Sequence, residues 1–182
     1  MIQKPMFSPQ TEWLPPESFP DLSRYDEIAI DLETKDPQLK TMGSGSVTGR
    51  GEIVGVAVAV EDWSGYYPIA HEGGGNMDKK RVMEWFRIIL NYPSTKIFHN
   101  AMYDVCFIRA AGLDIKGKIV DTMIAGSLVD ENRFRYDLGS MGRDYLGKGK
   151  NESVLKETAD IWGVDAKSEM YKLPAMYVGE YA

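Results

Sequence analysis

Residues 28–36 read Ile-Ala-Ile-Asp-Leu-Glu-Thr-Lys-Asp. The apolar run Ile28–Ile30 has the composition of a buried strand. It leads straight into Asp31 and Glu33, which occupy i and i+2 positions and therefore share one face of a strand. Burying carboxylates is costly unless a partner or a metal offsets the charge. Two like charges that close raise each other's pKa unless a cation sits between them. Hard oxygen donors on a rigid strand suit Mg²⁺ or Mn²⁺, so the pair marks a candidate metal site. The plainer reading ends the strand at Ile30 and leaves both acids solvated. For an isolated Asp-x-Glu that reading is the commoner one.

The rest of the chain narrows the choice. Its 182 residues favour one domain with a sizeable core, and 43% hydrophobic with 26% charged residues is an ordinary globular mixture. There is no apolar run long enough for a transmembrane helix, so no membrane association is expected. The first residues lack a basic region followed by an apolar core and do not read as a signal peptide. A single cysteine, Cys106, excludes an internal disulfide and a cysteine-rich zinc site, which fits a reducing, cytoplasmic setting. A net charge of −6 argues against a protein that coats nucleic acid non-specifically. It leaves room for an enzyme that grips nucleic acid locally and neutralises its acidic site with metal.

Along the chain, residues 1–24 are proline-rich and read as a strap, with the main domain running over 25–182. Strands are expected over 24–34, 53–62 and 63–71, joined as an antiparallel meander because the connections are short. Between the first two, residues 35–52 read as a mobile Gly/Ser-rich loop near the cleft. Residues 77–92 carry apolar side chains at 82, 85, 86, 89 and 90, which is helical spacing. A short strand over 94–100 precedes a helix over 101–113 that Gly112 ends. Residues 119–132 begin as a strand and continue as a helix, and 136–147, 153–163 and 174–182 read as helical. The fold class expected is α/β around a mixed sheet.

A second acid lies in Lys-Ile-Phe-His-Asn-Ala-Met-Tyr-Asp-Val-Cys-Phe-Ile, residues 96–108. Asn100 falls where a strand turns into a helix, and Asp104 falls in that helix's first turns. Tyr103, Phe107 and Ile108 are expected to pack inward with Asp104 facing out. Asn100 as an N-cap and Asp104 as a charge favoured near a helix N-terminus would explain both without chemistry. Lys148 and Lys150, between glycines, could touch a nucleic-acid backbone; a solvated turn is the commoner outcome.

Asp-Leu-Glu-Thr (31–34), His-Asn-Ala-Met-Tyr-Asp (99–104) and Asp-Thr-Met (121–123), in that order, resemble the DEDD 3′–5′ exonuclease superfamily. The resemblance is nearest to the proofreading domains of family A DNA polymerases of phages and bacteria and covers Arg24 to Ala182. Residues 66–76, 120–132 and 136–147 look like further segments of that family. The resemblance implies an RNase H-like fold with a five-stranded mixed sheet, and two divalent metal ions, Mg²⁺ or Mn²⁺. It implies metal ligands at Asp31, Glu33 and Asp104, with Asp31 bridging the ions. Leu32, Thr34 and Asn100 match residues that contact the 3′-terminal nucleotide. Tyr181 matches the tyrosine of the third motif, which would orient the attacking water. The partner aspartate of that motif would fall beyond Ala182, so weak or absent activity is expected of a fragment ending there. His71 and His99 lie too far upstream for the histidine-type subgroup. The implied partners are a single-stranded DNA 3′ end and a polymerase domain in the same intact chain, with the protein otherwise monomeric. A ribonuclease D-like RNA exonuclease and a non-catalytic scaffold of the same fold are the competing readings.

Overall fold

The computed structural model describes residues 9–182. Five strands form one sheet: β1 (Glu27–Lys35), β2 (Glu52–Val60), β3 (Trp63–Pro68), β4 (Thr95–Phe98) and β5 (Ile119–Asp121), in the spatial order β3-β2-β1-β4-β5. The meander β1–β2–β3 is antiparallel, while β4 and β5 run parallel to β1. The helices are α1 (Leu39–Met42), α2 (Gly45–Thr48), α3 (Lys79–Leu90), α4 (Ala101–Ala110), α5 (Thr122–Val129), α6 (Leu138–Leu146), α7 (Ser153–Trp162) and α8 (Ala175–Gly179), with a short 3₁₀ turn at Met170–Lys172.

The alternation in β1 decides how the layers form. Ile28, Ile30 and Leu32 point into the larger core, where Val56, Val58 and Tyr67 extend the same face. Val82, Trp85, Phe86, Ile89 and Leu90 of α3 and Phe107 and Ile108 of α4 cover it. The five buried α3 positions are those expected from the spacing. The opposite face, which carries Asp31 and Glu33, holds a second cluster of Tyr66, Leu155, Ala159, Met170, Leu173 and Val178. Helices α7 and α8 therefore lie on the acidic side of the sheet and α3 and α4 on the other, a three-layer arrangement.

Two expectations need correction. Residues 35–52 are not a free loop. Gly45 and Gly51 stack backbone on backbone, so that a Cβ on Gly45 would come within 2.6 Å of the Gly51 Cα. The Asp36 carboxylate accepts the Gly45 N–H at 2.9 Å, and α1 and α2 form around this pinch. The third strand stops at Pro68, because the Ile69 and Ala70 N–H groups both donate to the Val54 carbonyl, at 2.8 and 3.1 Å. Gly112, by contrast, ends α4 as expected. It takes a left-handed φ of 76° and lets the Leu113 N–H reach back to the Ile108 carbonyl at 3.1 Å, the pattern of a Schellman cap.

The first eight residues of the strap lie outside the described residues. The next ones have no regular structure: Trp13 packs on the second cluster, its ring centroid 6.0 Å from that of Tyr66, and the strap reaches the larger core at Phe19 and Leu22. Phe19 stacks on Tyr67 with ring centroids 5.3 Å apart, and the Ser18 and Pro20 carbonyls accept from Tyr67 Oη and Trp85 Nε1. Among the described residues no helix is long and apolar enough to cross a membrane.

Candidate active site

The site forms at the carboxyl ends of the parallel strands β1 and β4, where open α/β sheets place their ligands. β1 pairs with β4 only from Glu27 to Ala29, so beyond that point its β4-side edge needs other partners. The Leu32 N–H finds one in Asp104, donating to Oδ1 at 3.1 Å. Asp104 is 3% exposed, so the expectation that it faces outward was wrong. The unpaired strand edge draws the carboxylate of α4 inward, beside Asp31.

Helix α4 starts from Asn100, whose φ of 66° is the one left-handed non-glycine conformation among the described residues. Asn100 occupies the cap position but its side chain makes no cap bond. Asp121, at the end of β5, does that work: its carboxylate accepts the N–H groups of Asn100 at 3.0 Å, Ala101 at 2.9 Å and Met123 at 2.9 Å. One side chain thus caps both α4 and α5.

The acids carry the electrostatic signature of a crowded site. Burial, then the Asp31 charge, with a smaller push from Asp104, drive the Glu33 carboxyl up to about 8, against the pull of Lys150. Burial and then Asp31 push Asp104 up to about 7. Asp31 itself is raised by burial, with Lys150 and His99 opposing. Among the described residues no three His, Cys, Asp or Glu side chains are gathered tightly enough to form a ready metal cage. Asp31 and Glu33 share one sheet face, while Asp104 is held from α4 by the backbone of the residue between them. The donor set is nonetheless three hard carboxylates that disfavour each other's charge, and a divalent cation would relieve that.

The other expected residues divide. Tyr181 reaches the site, where its hydroxyl accepts from Lys150 Nζ at 2.9 Å and the ammonium lies 4.6 Å from its ring centre. Leu32 is 6% exposed and buries its side chain in the larger core; what it presents toward the site is its N–H. Thr34 bonds Tyr103 Oη at 2.9 Å, and Tyr103 in turn donates to Asp36 at 3.1 Å. Asn100 stays exposed on the rim.

Lys150, read from sequence as part of a solvated turn, is exposed as that reading has it, yet it also lines the cleft with Asp31 and bonds Tyr181. Desolvation works to lower its ammonium, but Tyr181, Asp31 and Glu33 outweigh it and the pKa ends above the usual value. His99 lines the same cleft, its Nδ1 2.9 Å from Thr122 Oγ1. His99 lay inside the second motif and Lys150 among the candidate backbone contacts, but the sequence assigned neither to the neighbourhood of the acids. Lys150 comes from a glycine-flanked connection whose path only the tertiary structure reveals.

A cavity of about 640 Å³ opens between Asp31, Ala57, Tyr66, His99, Lys150 and Tyr181. A neighbouring one of about 850 Å³ shares Asp31, His99, Lys150 and Tyr181 and is walled further by Arg143, Lys156 and Lys167. In an acidic chain, this rim gathers the basic side chains around the acids.

Residues 8–176 match a family model described as 3′–5′ exonuclease. The DNA-directed DNA polymerase of Pseudomonas phage M6 is 32% identical over 191 aligned positions, covering 100% of this chain and 28% of the relative. DNA polymerase I of Pseudomonas aeruginosa is 30% identical over 169 positions, covering 88% of this chain and 17% of the relative. The chain thus spans between 17% and 28% of the length of these relatives. Among solved structures, Escherichia coli RNase D aligns with a TM-score of 0.53 at 17% identity, over 86% of this chain and 37% of that one. Brucella melitensis NrnC with bound Mg²⁺ aligns with a TM-score of 0.51 at 16% identity, over 88% and 86%. The five-stranded sheet is the RNase H-like fold of these nucleases. With the motifs in place on that fold and the match running over nearly all of its length, the chain belongs to the 3′–5′ exonuclease family of family A DNA polymerases.

Proposed function

We propose that the chain removes nucleotides from single-stranded DNA 3′ ends in a metal-dependent reaction, as the proofreading part of a DNA polymerase. The observation that carries this reading is the placement of Asp31 and Glu33 on one sheet face with Asp104 bonded to the backbone of the residue between them, Asp31 opening onto a cleft lined by Arg143, Lys150, Lys156 and Lys167. Asp31, Glu33 and Asp104 would hold two divalent ions, Mg²⁺ or Mn²⁺. When bound, such ions lower the pKa of a water and stabilise charge on the leaving 3′ oxygen.

The chain's own residues supply the rest. Tyr181 holds its hydroxyl at the cleft, fixed by Lys150, and would orient the attacking water. The Lys150 ammonium favours an anionic phosphate next to the acids. The Thr34–Tyr103–Asp36 chain of hydrogen bonds stiffens the strand end next to Glu33. Asn100 on the rim would receive the terminal nucleotide, while Leu32 and Thr34, which the resemblance also implied there, are committed to the larger core and to Tyr103 and would act by shaping the strand end. Arg143, Lys156 and Lys167 would meet the phosphates behind it, supplying the positive charge that the acidic chain otherwise lacks. A polymerase domain in the same chain and an otherwise monomeric protein acting in the cytoplasm complete the reading.

The test is degradation of a 5′-labelled single-stranded DNA with Mg²⁺ or Mn²⁺ against chelator, beside a matching RNA, with the phage M6 polymerase as positive control. A metal-dependent 3′-to-5′ ladder on DNA that Asp31→Ala abolishes is the expected result. Trimming of RNA alone would move the chain to the ribonuclease reading. No cleavage of either by this chain or by one extended by about twenty residues, enough for one further helix, with an active control, would leave a scaffold.

A further inference from the structure

On the acidic face of the sheet, cross-strand rows put Asp31, Ala57 and Tyr66 side by side, and Glu33, Gly55 and Pro68 in the adjacent row. Gly55 leaves an opening in the second row that the Tyr66 ring crosses. A Cβ on Gly55 would fall 1.9 Å from the Tyr66 hydroxyl, so that hydroxyl lies over the backbone of Glu33's direct cross-strand partner. Tyr66 Oη is 2.5 Å from His71 Nε2, and both residues are buried.

We propose that Tyr66 and His71 form a positioning unit for Glu33, walling one side of its carboxylate with a hydroxyl whose proton is committed to the imidazole. The inference rests on the reading of Glu33 as a metal ligand. Burial pushes the His71 imidazole down to about 4, so near neutrality the ring is uncharged and offers a nitrogen acceptor. A phenol keeps its single proton near neutrality. With the imidazole's own proton on Nδ1, toward the Met170 and Leu173 carbonyls, Nε2 is the acceptor and the phenol's proton goes to His71. Glu33 therefore meets an oxygen lone pair and a dry wall on this side, and its charge must be balanced from the cleft side, where Lys150 and a metal would stand.

The unit is also tied to the far end of the chain. The His71 N–H donates to Asn76 Oδ1 at 2.7 Å, and Asn76 Nδ2 returns to the His71 carbonyl at 2.8 Å. The Glu72 N–H donates to the Tyr171 carbonyl at 2.8 Å, and the Ala175 N–H to the Gly74 carbonyl at 3.0 Å. The loop that holds His71 thus docks on the segment entering α8, just before Tyr181. Glu33 and Tyr181 are held in register through Tyr66 and His71.

A merely structural tyrosine in the second core cluster would show the same burial, so the test reads the metal and not activity alone. Mn²⁺ binding is measured by electron paramagnetic resonance on the 182-residue chain, with thermal melting beside it. Tyr66→Phe and His71→Ala are expected to weaken Mn²⁺ affinity about tenfold, the scale set by residues that orient metal ligands. His71→Gln, which keeps a side-chain acceptor, is expected to recover part of that loss. Leu155→Ala removes packing from the same cluster and is expected to lower the melting temperature with no matching loss of affinity. Wild-type affinity in folded Tyr66→Phe, or an equal loss in Leu155→Ala, overturns the proposal. If Tyr66→Phe does not fold, the decision passes to the two His71 variants, and equal affinity in them overturns it. A wild-type chain that binds no Mn²⁺ overturns the metal reading of Glu33 and this inference together, an outcome distinct from a loss confined to the variants.

Discussion

Asp104 accepts the Leu32 N–H at 3.1 Å, and that bond helps the carboxylate tolerate burial next to Asp31. Asparagine in its place keeps an oxygen acceptor of the same shape and loses the charge. Alanine leaves the N–H without a partner, a penalty of about 1–3 kcal/mol. Urea titration should therefore find Asp104→Ala less stable than Asp104→Asn by about that amount, while both lose metal-dependent hydrolysis. Equal stability of the two would mean that the bond contributes nothing. The raised carboxyls make a second prediction. Glu33 at about 8 and Asp104 at about 7 hold protons in the folded, metal-free protein that the unfolded chain has already released. The folded state binds more protons between the unfolded and folded values, so its stability falls as pH rises through that window. His71, pushed down to about 4, acts oppositely: stability falls as pH drops from its unfolded value toward the folded one. Melting in chelator should therefore peak at mildly acidic pH and decline toward about 8, and Glu33→Gln should flatten the alkaline decline. Melting that rises steadily from neutral pH toward about 8 would contradict the raised carboxyls.

Among the elements, α4 and α5 depend on one side chain. Asp121 caps both, and each lost cap costs about 1 kcal/mol. Asp121→Ala should lower the melting temperature by about 4–8 °C for a domain of this size. It should also weaken hydrolysis, because α4 carries Asp104. A melting temperature within a degree of wild type would show that Asn100 or water replaces the cap. The elements also show what the sequence made legible. The buried face of helix α3 was readable to the residue, because the spacing of its apolar side chains is a local property, although the helix itself, Lys79–Leu90, is two residues shorter at each end than the expected 77–92. The β2–β3 hairpin was readable because the connection from Val60 to Trp63 is too short for anything but an antiparallel pair, whereas residues 36–51 between β1 and β2 are long enough to leave the direction of that pairing open. Helices α1 and α2 were not readable, because they form around a glycine-to-glycine approach between residues 45 and 51 that no periodicity records. In the site, alternation showed that Asp31 and Glu33 share a face, but only the resemblance carried by the three motifs together turned that pair from solvated acids into candidate ligands. The inward turn of Asp104 was not legible, since it follows from where β4 stops pairing with β1. Lys150 and Tyr66 arrive from a distant connection and an outer strand, so only the fold could place them.

At the scale of the molecule, a chain of net charge −6 would, on the proposed function, face a polyanionic substrate, and where its positive charge sits would decide whether it can bind. Arg143, Lys150, Lys156 and Lys167 gather on the cleft wall, although Glu152 draws on Lys156 at 2.6 Å and Lys167 at 3.7 Å. Binding through such a rim releases counterions, and log K falls with log salt by about 0.7 for each phosphate of a single strand that is neutralised. For an oligonucleotide long enough to cross the rim, Arg143→Gln should weaken binding and make this slope shallower by about 0.7. Lys156→Gln should do less, because that ammonium already shares its charge with Glu152. Lys80→Gln, on α3 across the sheet, serves as the remote control and should change neither affinity nor slope. If Arg143→Gln leaves the slope as it was, or Lys80→Gln changes it as much, the strand does not leave the acids along this wall. The basic rim would then be solvated surface, and the grip on DNA would have to come from the cleft interior alone.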